Sequence, residues 1–164
     1  MSKSRKNTID PEQIIENYGA DSVRLFMLSD SPPEKDVQWS AQGMVACYKF
    51  IQKLWTLHEK IKIKIKEKEK SQKTSSEISK FTNQLIVRIN NNLERFNYNV
   101  IIASIYETYN FLNQKINDSI NSNSLFENYK KILSVIFPII PHFASECLTD
   151  LNINNNVKWP IVDE

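Results

Sequence analysis

Residues 44–58 read MVACYKFIQKLWTLH, and this stretch decides the fold class. The positions that can share one apolar stripe lie three or four residues apart: Met44, Cys47, Tyr48, Ile51, Leu54, Trp55 and His58. This spacing matches the period of an α-helix and predicts an amphipathic helix that buries the stripe against other helices. Ser40 is a suitable N-cap, so we expect the helix to run from Ala41 to about Lys60.

The residues after this helix alternate in character. Residues 61–73, IKIKIKEKEKSQK, have the two-residue period of a strand. No second strand signal occurs with which they could pair, so we expect a fraying helix end that passes into a solvated linker.

Further helices are predicted downstream from the same three-and-four spacing. One begins at Ser75 or Ser76, and the RFNYN stretch at 95–99 is expected to bend it. The helical pattern resumes over 100–112 and fades in a polar stretch before residue 125.

The last helical pattern covers residues 125–137. It is broken by Pro138 and resumes from Pro141 to Leu151, because proline is disfavoured inside a helix but tolerated in its first turn. The tail after it is polar, with Trp159 as its expected anchor.

Two short helices are predicted before the first long one. Asp10 is an N-cap followed by a proline at the first position of a helix over 11–18, and Gly19 fits a left-handed position that ends it. Asp21 is predicted to cap a second helix, which the prolines at 32 and 33 stop.

The predicted architecture is therefore all-α, with a short helical connector over 1–39, a helical bundle over 40–152 and a linker over 153–164. The chain has only two glycines in 164 residues, which argues against tight hairpins and glycine-rich phosphate loops. Nothing resembles a signal peptide or a membrane span, so we expect a cytoplasmic protein with no membrane partner.

No set of titratable residues in the sequence predicts an independent enzyme. His58 and His142 are each interpreted as structural, and Cys47 and Cys147 as free thiols in a reducing compartment. No metal-ligand spacing, GxSxG, HExxH or glycine-rich phosphate motif occurs. The net charge is only +2, so any nucleic-acid binding must depend on local patches.

The opening residues, MSKSRKN at 1–7, are the remaining candidate for chemistry. They crowd three cations and two hydroxyls together, with Met1 as the only apolar side chain. Residue chemistry alone leaves two alternatives open, a disordered basic tip or a loop that binds phosphate.

A family resemblance favours the second alternative. MSKS and the following DPEQIIENYGADSVRLFMLSDSPPEKDVQWS resemble the stretch of class I aminoacyl-tRNA synthetases that begins at the KMSKS signature. YGADSVRLFML and PPEKDVQWS resemble the leucyl members in particular. The stretches LERFNYNVIIASIYETYNFLN and IFPIIPHFASECL resemble the helical anticodon-binding domain of that family, so the resemblance spans nearly the whole chain.

The resemblance implies roles for the first four residues. Lys3 would correspond to the second lysine of the signature, which binds ATP and stabilises the charge that develops as leucine attacks to form leucyl-adenylate. One such donor at developing charge is worth roughly 3 kcal/mol of barrier. Ser2 and Ser4 would shape the loop, and Met1 would pack it against the body. ATP, with Mg²⁺, would thus be a substrate of the full-length enzyme.

The sequence departs from the family pattern in two ways. The lysine expected before Met1 is absent, and Lys6 stands where many members carry glycine. The nucleotide-binding domain with its HIGH motif, the editing domain and the C-terminal domain find no counterpart. We therefore expect part of a leucine–tRNA ligase that is inactive alone and needs a catalytic domain in cis or on another chain. The alternatives are a free-standing helical tRNA-binding or assembly module and a fragment of an isoleucyl-type synthetase.

The implied partner is tRNA(Leu), contacted through backbone and shape rather than base edges. The candidate contact residues are the following cations: Arg5, Lys6, Lys49, Lys53, Arg88 and Arg95. A solvated face is an equally good interpretation of the cations on the two helices. The aromatic residues Phe50, Trp55, Phe96 and Tyr106 are expected in the core rather than on a base-stacking surface.

Overall fold

The computed structural model describes residues 8–29, 35, 37–67, 73–153 and 158–162. Every regular element in these ranges is a helix, so the all-α prediction is confirmed. The helices are α1 (Pro11–Tyr18), α2 (Ala20–Ser29), α3 (Ala41–Lys66), α4 (Lys73–Glu94), α5 (Tyr98–Lys115), α6 (Ser122–Ile136) and α7 (Pro141–Asp150).

Helices α3 to α6 form a four-helix bundle. Both α3 and α4 pack against α5 and α6, which places α3 and α4 at opposite corners of the bundle. Isoleucine and leucine side chains from all four helices fill the space between them, with Ile61, Ile86, Ile105 and Leu133 almost completely buried. None of the described helices combines the length and apolar character needed to cross a bilayer.

The two short helices lie against the bundle. Helix α1 occupies residues 11–18 as predicted, and the Asp10 carboxylate accepts a hydrogen bond from the Glu12 amide at 3.0 Å. Gly19 has a φ of +78°, so its positive φ is confirmed, but its ψ of 151° is extended rather than left-handed helical. Helix α2 packs against α3, α5 and α7. The boundary between residues 39 and 40 stays a prediction.

The N-cap role predicted for Asp21 is wrong. Helix α2 begins at Ala20, because the Gly19 carbonyl already accepts the amide of Val23. Asp21 therefore stands inside the first turn, and its buried carboxylate bonds to the start of α7 instead.

Helix α3 is longer than predicted. The Ser40 hydroxyl caps it by accepting the Gly43 amide at 3.1 Å, as expected, but the helix continues to Lys66 rather than Lys60. Ile61 is fully buried, and the Ser122 hydroxyl donates to the Lys64 carbonyl. These tertiary contacts hold the alternating stretch in a helix.

The later helix boundaries differ from the prediction in two places. The RFNYN stretch ends α4 instead of bending it: Phe96 takes a φ of +57°, and α5 begins at Tyr98. Helix α6 begins at Ser122, three residues before the predicted start, because the Asn121 side chain accepts the Ser124 amide. The tail contact is found, since the Trp159 indole donates to the Asn90 amide oxygen at 2.9 Å.

Candidate nucleic-acid interface

The predicted loop residues all fall outside the described part of the chain: Met1, Ser2, Lys3, Ser4, Arg5 and Lys6. The roles assigned to them stay predictions. The described structure bears only on the four cations of the bundle.

Two of these cations lie on the outer face of α3. Lys49 and Lys53 are exposed, and neither forms an ion pair with a described residue. One helical turn separates them, which is roughly 6 Å along the axis. Lys60 falls on the same stripe, so α3 presents a row of solvated ammonium groups.

The other two cations lie on α4 and in the turn directly after it. Arg88 on α4 and Arg95 in this turn line a shallow groove of about 620 Å³. The remaining lining side chains are mainly carboxamides, and they are Asn83, Gln84, Val87, Asn91, Asn92 and Val162. Arg95 makes no hydrogen bond or ion pair with described residues. The groove thus combines two guanidinium groups with neutral donors and acceptors.

Arg88 differs from Arg95 because it already has an anionic partner. Its guanidinium donates to both carboxylate oxygens of Glu107 on α5, at 2.5 and 3.4 Å. Both side chains are about half exposed, and exposed ion pairs contribute only about 0–1 kcal/mol. A phosphate could therefore displace Glu107 at little cost.

Helix α5 lies between the two cationic rows. The Tyr106 ring stacks on Phe50 of α3 with a centroid distance of 3.8 Å, while the next residue, Glu107, pairs with Arg88 of α4. Adjacent residues of α5 thus contact both flanking helices. The surface formed by Lys49, Lys53, Tyr106, Arg88 and Arg95 is called the α5 face below.

The helix directions fix the layout of the α5 face. Phe81 of α4 stacks on Phe111 of α5, so with the Arg88–Glu107 pair these helices run antiparallel. Arg95 consequently lies near the start of α5. Two interaxial distances of roughly 8–10 Å each, from α3 to α5 and from α5 to α4, therefore lie between the two cationic rows.

The expectation that four aromatic residues belong to the core holds only in part. Phe50 is buried and Trp55 is half-buried, but Phe96 is 59% exposed and Tyr106 is 37% exposed. Phe96 points outward because the α4–α5 turn holds it at positive φ. Tyr106 keeps one ring face on Phe50, and burial raises the pKa of its hydroxyl.

His58 belongs to a buried polar network, in agreement with its structural interpretation. A carboxylate only accepts hydrogen bonds, so the Nε2–H of His58 donates to Asp150 at 3.3 Å. The other ring nitrogen, Nδ1, then accepts from the Tyr129 hydroxyl at 3.0 Å. Burial lowers the pKa of His58, against the opposing effect of Asp150. Burial also raises the pKa of Tyr129 and raises that of the Cys147 thiol to about 12.

This network also brings possible metal ligands together. Ligand atoms of His58, Glu59 and Asp150 lie within 4.8 Å of one another. The Lys62 ammonium, however, donates to Asp150 at 2.7 Å and to Glu59 at 3.2 Å, and its pKa is raised by these bonds. The carboxylates already have their cation, so the group is best described as an ion-pair network.

Sequence reasoning missed two residues that join the connector to the bundle. The Asp21 carboxylate accepts the backbone amides of His142 and Phe143, and the Arg24 guanidinium donates to the carbonyls of Pro138 and Ile139. The only sequence signal was the i, i+3 spacing of opposite charges on one short helix.

Two family models match the chain in consecutive order. Residues 1–40 match the class I tRNA synthetases of the I, L, M and V group. Residues 75–164 match the anticodon-binding domain of tRNA ligase, which covers more than half of the chain.

Individual relatives agree with this order. The leucine–tRNA ligase of Bartonella quintana is 36% identical over 99% of this chain, and that of Hyphomonas neptunium is 32% identical over 99%. The leucine–tRNA ligase of a Wolbachia strain from Drosophila simulans is 34% identical over the whole chain. The chain spans only about a fifth of the length of these relatives.

A solved structure shares the fold. It is the ternary complex of Agrobacterium radiobacter K84 LeuRS with tRNA and LeuAMS, and it matches 99% of this chain at a TM-score of 0.88 and 22% sequence identity. The match covers 22% of that longer chain. Because the anticodon-binding model covers more than half of the chain, the chain belongs to the anticodon-binding domain family of tRNA ligases, in a stretch that is similar to leucine–tRNA ligases.

Proposed function

We propose that this chain is the part of a leucine–tRNA ligase that extends from the KMSKS loop through the helical tRNA-binding domain. The carrying observation is the similarity to leucine–tRNA ligases along 99% of the chain, in the order of the two family models. The complete ligase would use ATP, with Mg²⁺, to activate leucine and would transfer it to tRNA(Leu) in the cytoplasm. Lys3 would stabilise charge on the ATP phosphates during activation.

Within this function the α5 face binds the tRNA backbone. Its four cations lie in two rows on either side of one helix, and Lys49, Lys53 and Arg95 have no anionic partner among the described residues. Cations that contact phosphates release bound counterions, so affinity should fall steeply with salt. The exposed face of Tyr106 adds a surface on which a base can stack.

The binding test uses fluorescence anisotropy of labelled tRNA(Leu) with the 164-residue chain over a range of salt concentrations. Arg95→Gln should weaken binding and make the slope of log K against log salt shallower by roughly 0.7–0.9, because one phosphate contact is lost. Lys130→Gln is the matched control, since Lys130 lies on α6, away from α5. Equal effects of the two variants would refute the α5 face.

In the same binding assay, a variant of the Arg88–Glu107 pair should increase the affinity for tRNA rather than lower it. Glu107→Gln removes the only anion that pairs with a cation of the α5 face among the described residues. Binding should tighten, and Arg88→Gln in the same background should abolish the gain. If the double variant still binds tRNA more tightly than the wild type, the gain comes from net charge alone and Arg88 is not the contact.

The catalytic part of the proposal is tested by aminoacylation. The complete ligase should charge tRNA(Leu) with leucine, whereas the 164-residue chain alone should show no leucine-dependent ATP–pyrophosphate exchange. Charging of tRNA(Ile) would favour the isoleucyl alternative. Exchange by the isolated chain would overturn the assignment to part of a ligase.

A further inference from the structure

The sequence YGADSVRLF at 18–26 places an acid and a base three residues apart on α2, and the structure directs both to the α6–α7 junction. Asp21 is buried, with 6% of its surface exposed. Its Oδ2 accepts the Phe143 amide at 2.6 Å, and its Oδ1 accepts the His142 amide at 3.3 Å. These amides open α7, whose own N-cap residue, Ile140, offers no side-chain acceptor.

Arg24 binds the other side of the same junction. Its Nε donates to the Ile139 carbonyl at 2.9 Å and its Nη2 to the Pro138 carbonyl at 2.6 Å. These carbonyls follow the C-terminus of α6, and Ile139 is almost completely buried. Charge-assisted bonds of this kind are roughly twice as strong as neutral ones.

The two contacts complement the helix dipoles as well as the individual backbone groups. The Asp21 carboxylate lies at the N-terminus of α7, which carries partial positive charge. The Arg24 guanidinium lies beyond the C-terminus of α6, which carries partial negative charge, so both interactions are favourable. One turn of α2 thus binds the backbone on both sides of the α6–α7 junction, 114 to 122 residues later in the chain.

We propose that Asp21 and Arg24 are positioning residues: they fix α2 to the α6–α7 junction, so that the connector formed by α1 and α2 is held at a set place relative to the tRNA-binding helices. This inference rests on the proposed function, in which the ATP loop directly precedes this connector in sequence. Helix α2 also packs against α3 and α5, which both contribute to the α5 face. Helix α2 is therefore the element that joins the connector to the helices of the α5 face.

The contact itself is tested in the 164-residue chain by hydrogen–deuterium exchange. Asp21→Ala and Arg24→Ala should each speed exchange in residues 20–29 at least tenfold. Asn121→Ala is the matched control, because it removes a cap of α6 that has no contact with α2. If exchange in α2 is no faster than in this control, the positioning role is wrong.

Conservative variants keep the test valid if an alanine variant does not fold. Arg24→Lys retains the charge but not the two-pronged donor, and Asp21→Asn retains one carbonyl oxygen. Each should give exchange rates between those of the wild type and the alanine variant. Rates equal to the wild type in both would overturn the proposal.

The effect on the reaction is measured in the complete ligase. Asp21→Ala should lower kcat for leucine-dependent ATP–pyrophosphate exchange at least fivefold. In the aminoacylation assay it should change the KM for tRNA less than twofold. Asn121→Ala should change neither quantity. A kcat equal to that of the control would refute positioning while leaving the proposed function intact. If the wild-type ligase fails to charge tRNA(Leu), the proposed function is wrong, and the exchange experiment still decides whether the contact exists.

Discussion

Gly43 of α3 lies against Phe26 of α2, and Gly43→Ala tests that packing. A Cβ at this position would lie 2.8 Å from Cε2 and 3.2 Å from Cδ2 of Phe26. Contacts below 3.0 Å essentially do not occur, so the ring would have to move. Phe26 is 5% exposed and meets Trp39 edge-on at 5.2 Å, which leaves it little room.

Two effects of opposite sign determine the expected free energy change. Replacing glycine by alanine inside a helix stabilises it by about 1 kcal/mol. Overpacking a buried site costs about 1–3 kcal/mol. The net expectation is a loss of about 1 kcal/mol, which corresponds to a fall in Tm of about 2–4 °C in a chain of this size.

The assay is urea unfolding followed by helical circular dichroism, with Phe26→Leu as the second variant of a double-mutant cycle. The leucine side chain removes the ring edge, so Gly43→Ala should become neutral or stabilising in that background. A stabilised Gly43→Ala single variant would show that the ring gives way freely. A loss that persists without the ring would show that the clash is not its cause.

Three further predictions concern buried or loop residues. The pKa of His58 is lowered on folding, so its contribution to stability is present above its unfolded pKa of about 6.5 and is lost as pH falls below that value towards the folded pKa. The urea concentration at the midpoint of unfolding should therefore fall between pH 7.5 and 5.5, and His58→Gln should make this fall smaller. Burial raises the pKa of both Cys47 and Cys147, so a thiol reagent at pH 8 should label neither in the folded chain and both in urea; rapid labelling before unfolding would contradict their burial. Lys3→Ala in the complete ligase should lower the rate of adenylation far more than the affinity for tRNA, and the opposite pattern would show that the role given to Lys3 is wrong.

The helices were predictable from sequence wherever a local pattern was sufficient. The caps at Asp10 and Ser40 and the apolar period of α3 depend on neighbours in the sequence, and each was found as expected. The end of α3 was not, because residues 61–66 stay helical through burial of Ile61 and a bond from Ser122. These contacts come from a part of the chain that no local pattern can reveal.

The candidate interface shows the same limit. Lys49, Lys53, Arg88 and Arg95 were identified as exposed cations from helical spacing alone, but their arrangement on two sides of α5 was not. Periodicity gives the outer face of each helix and says nothing about which helix lies next to it. Asp21 was misassigned for the same reason, since its partners are 121 and 122 residues away.

Helix α5 explains how two cationic rows from different helices can serve one ligand. Helices α3 and α4 occupy opposite corners of the bundle, and both contact α5. Tyr106 and Glu107, adjacent in sequence, contact Phe50 of α3 and Arg88 of α4 respectively. The separation of the rows is then set by two interaxial distances across α5, roughly 8–10 Å each. In the proposed function, a phosphate backbone that crosses α5 meets both rows, and α2 packs against the same helix.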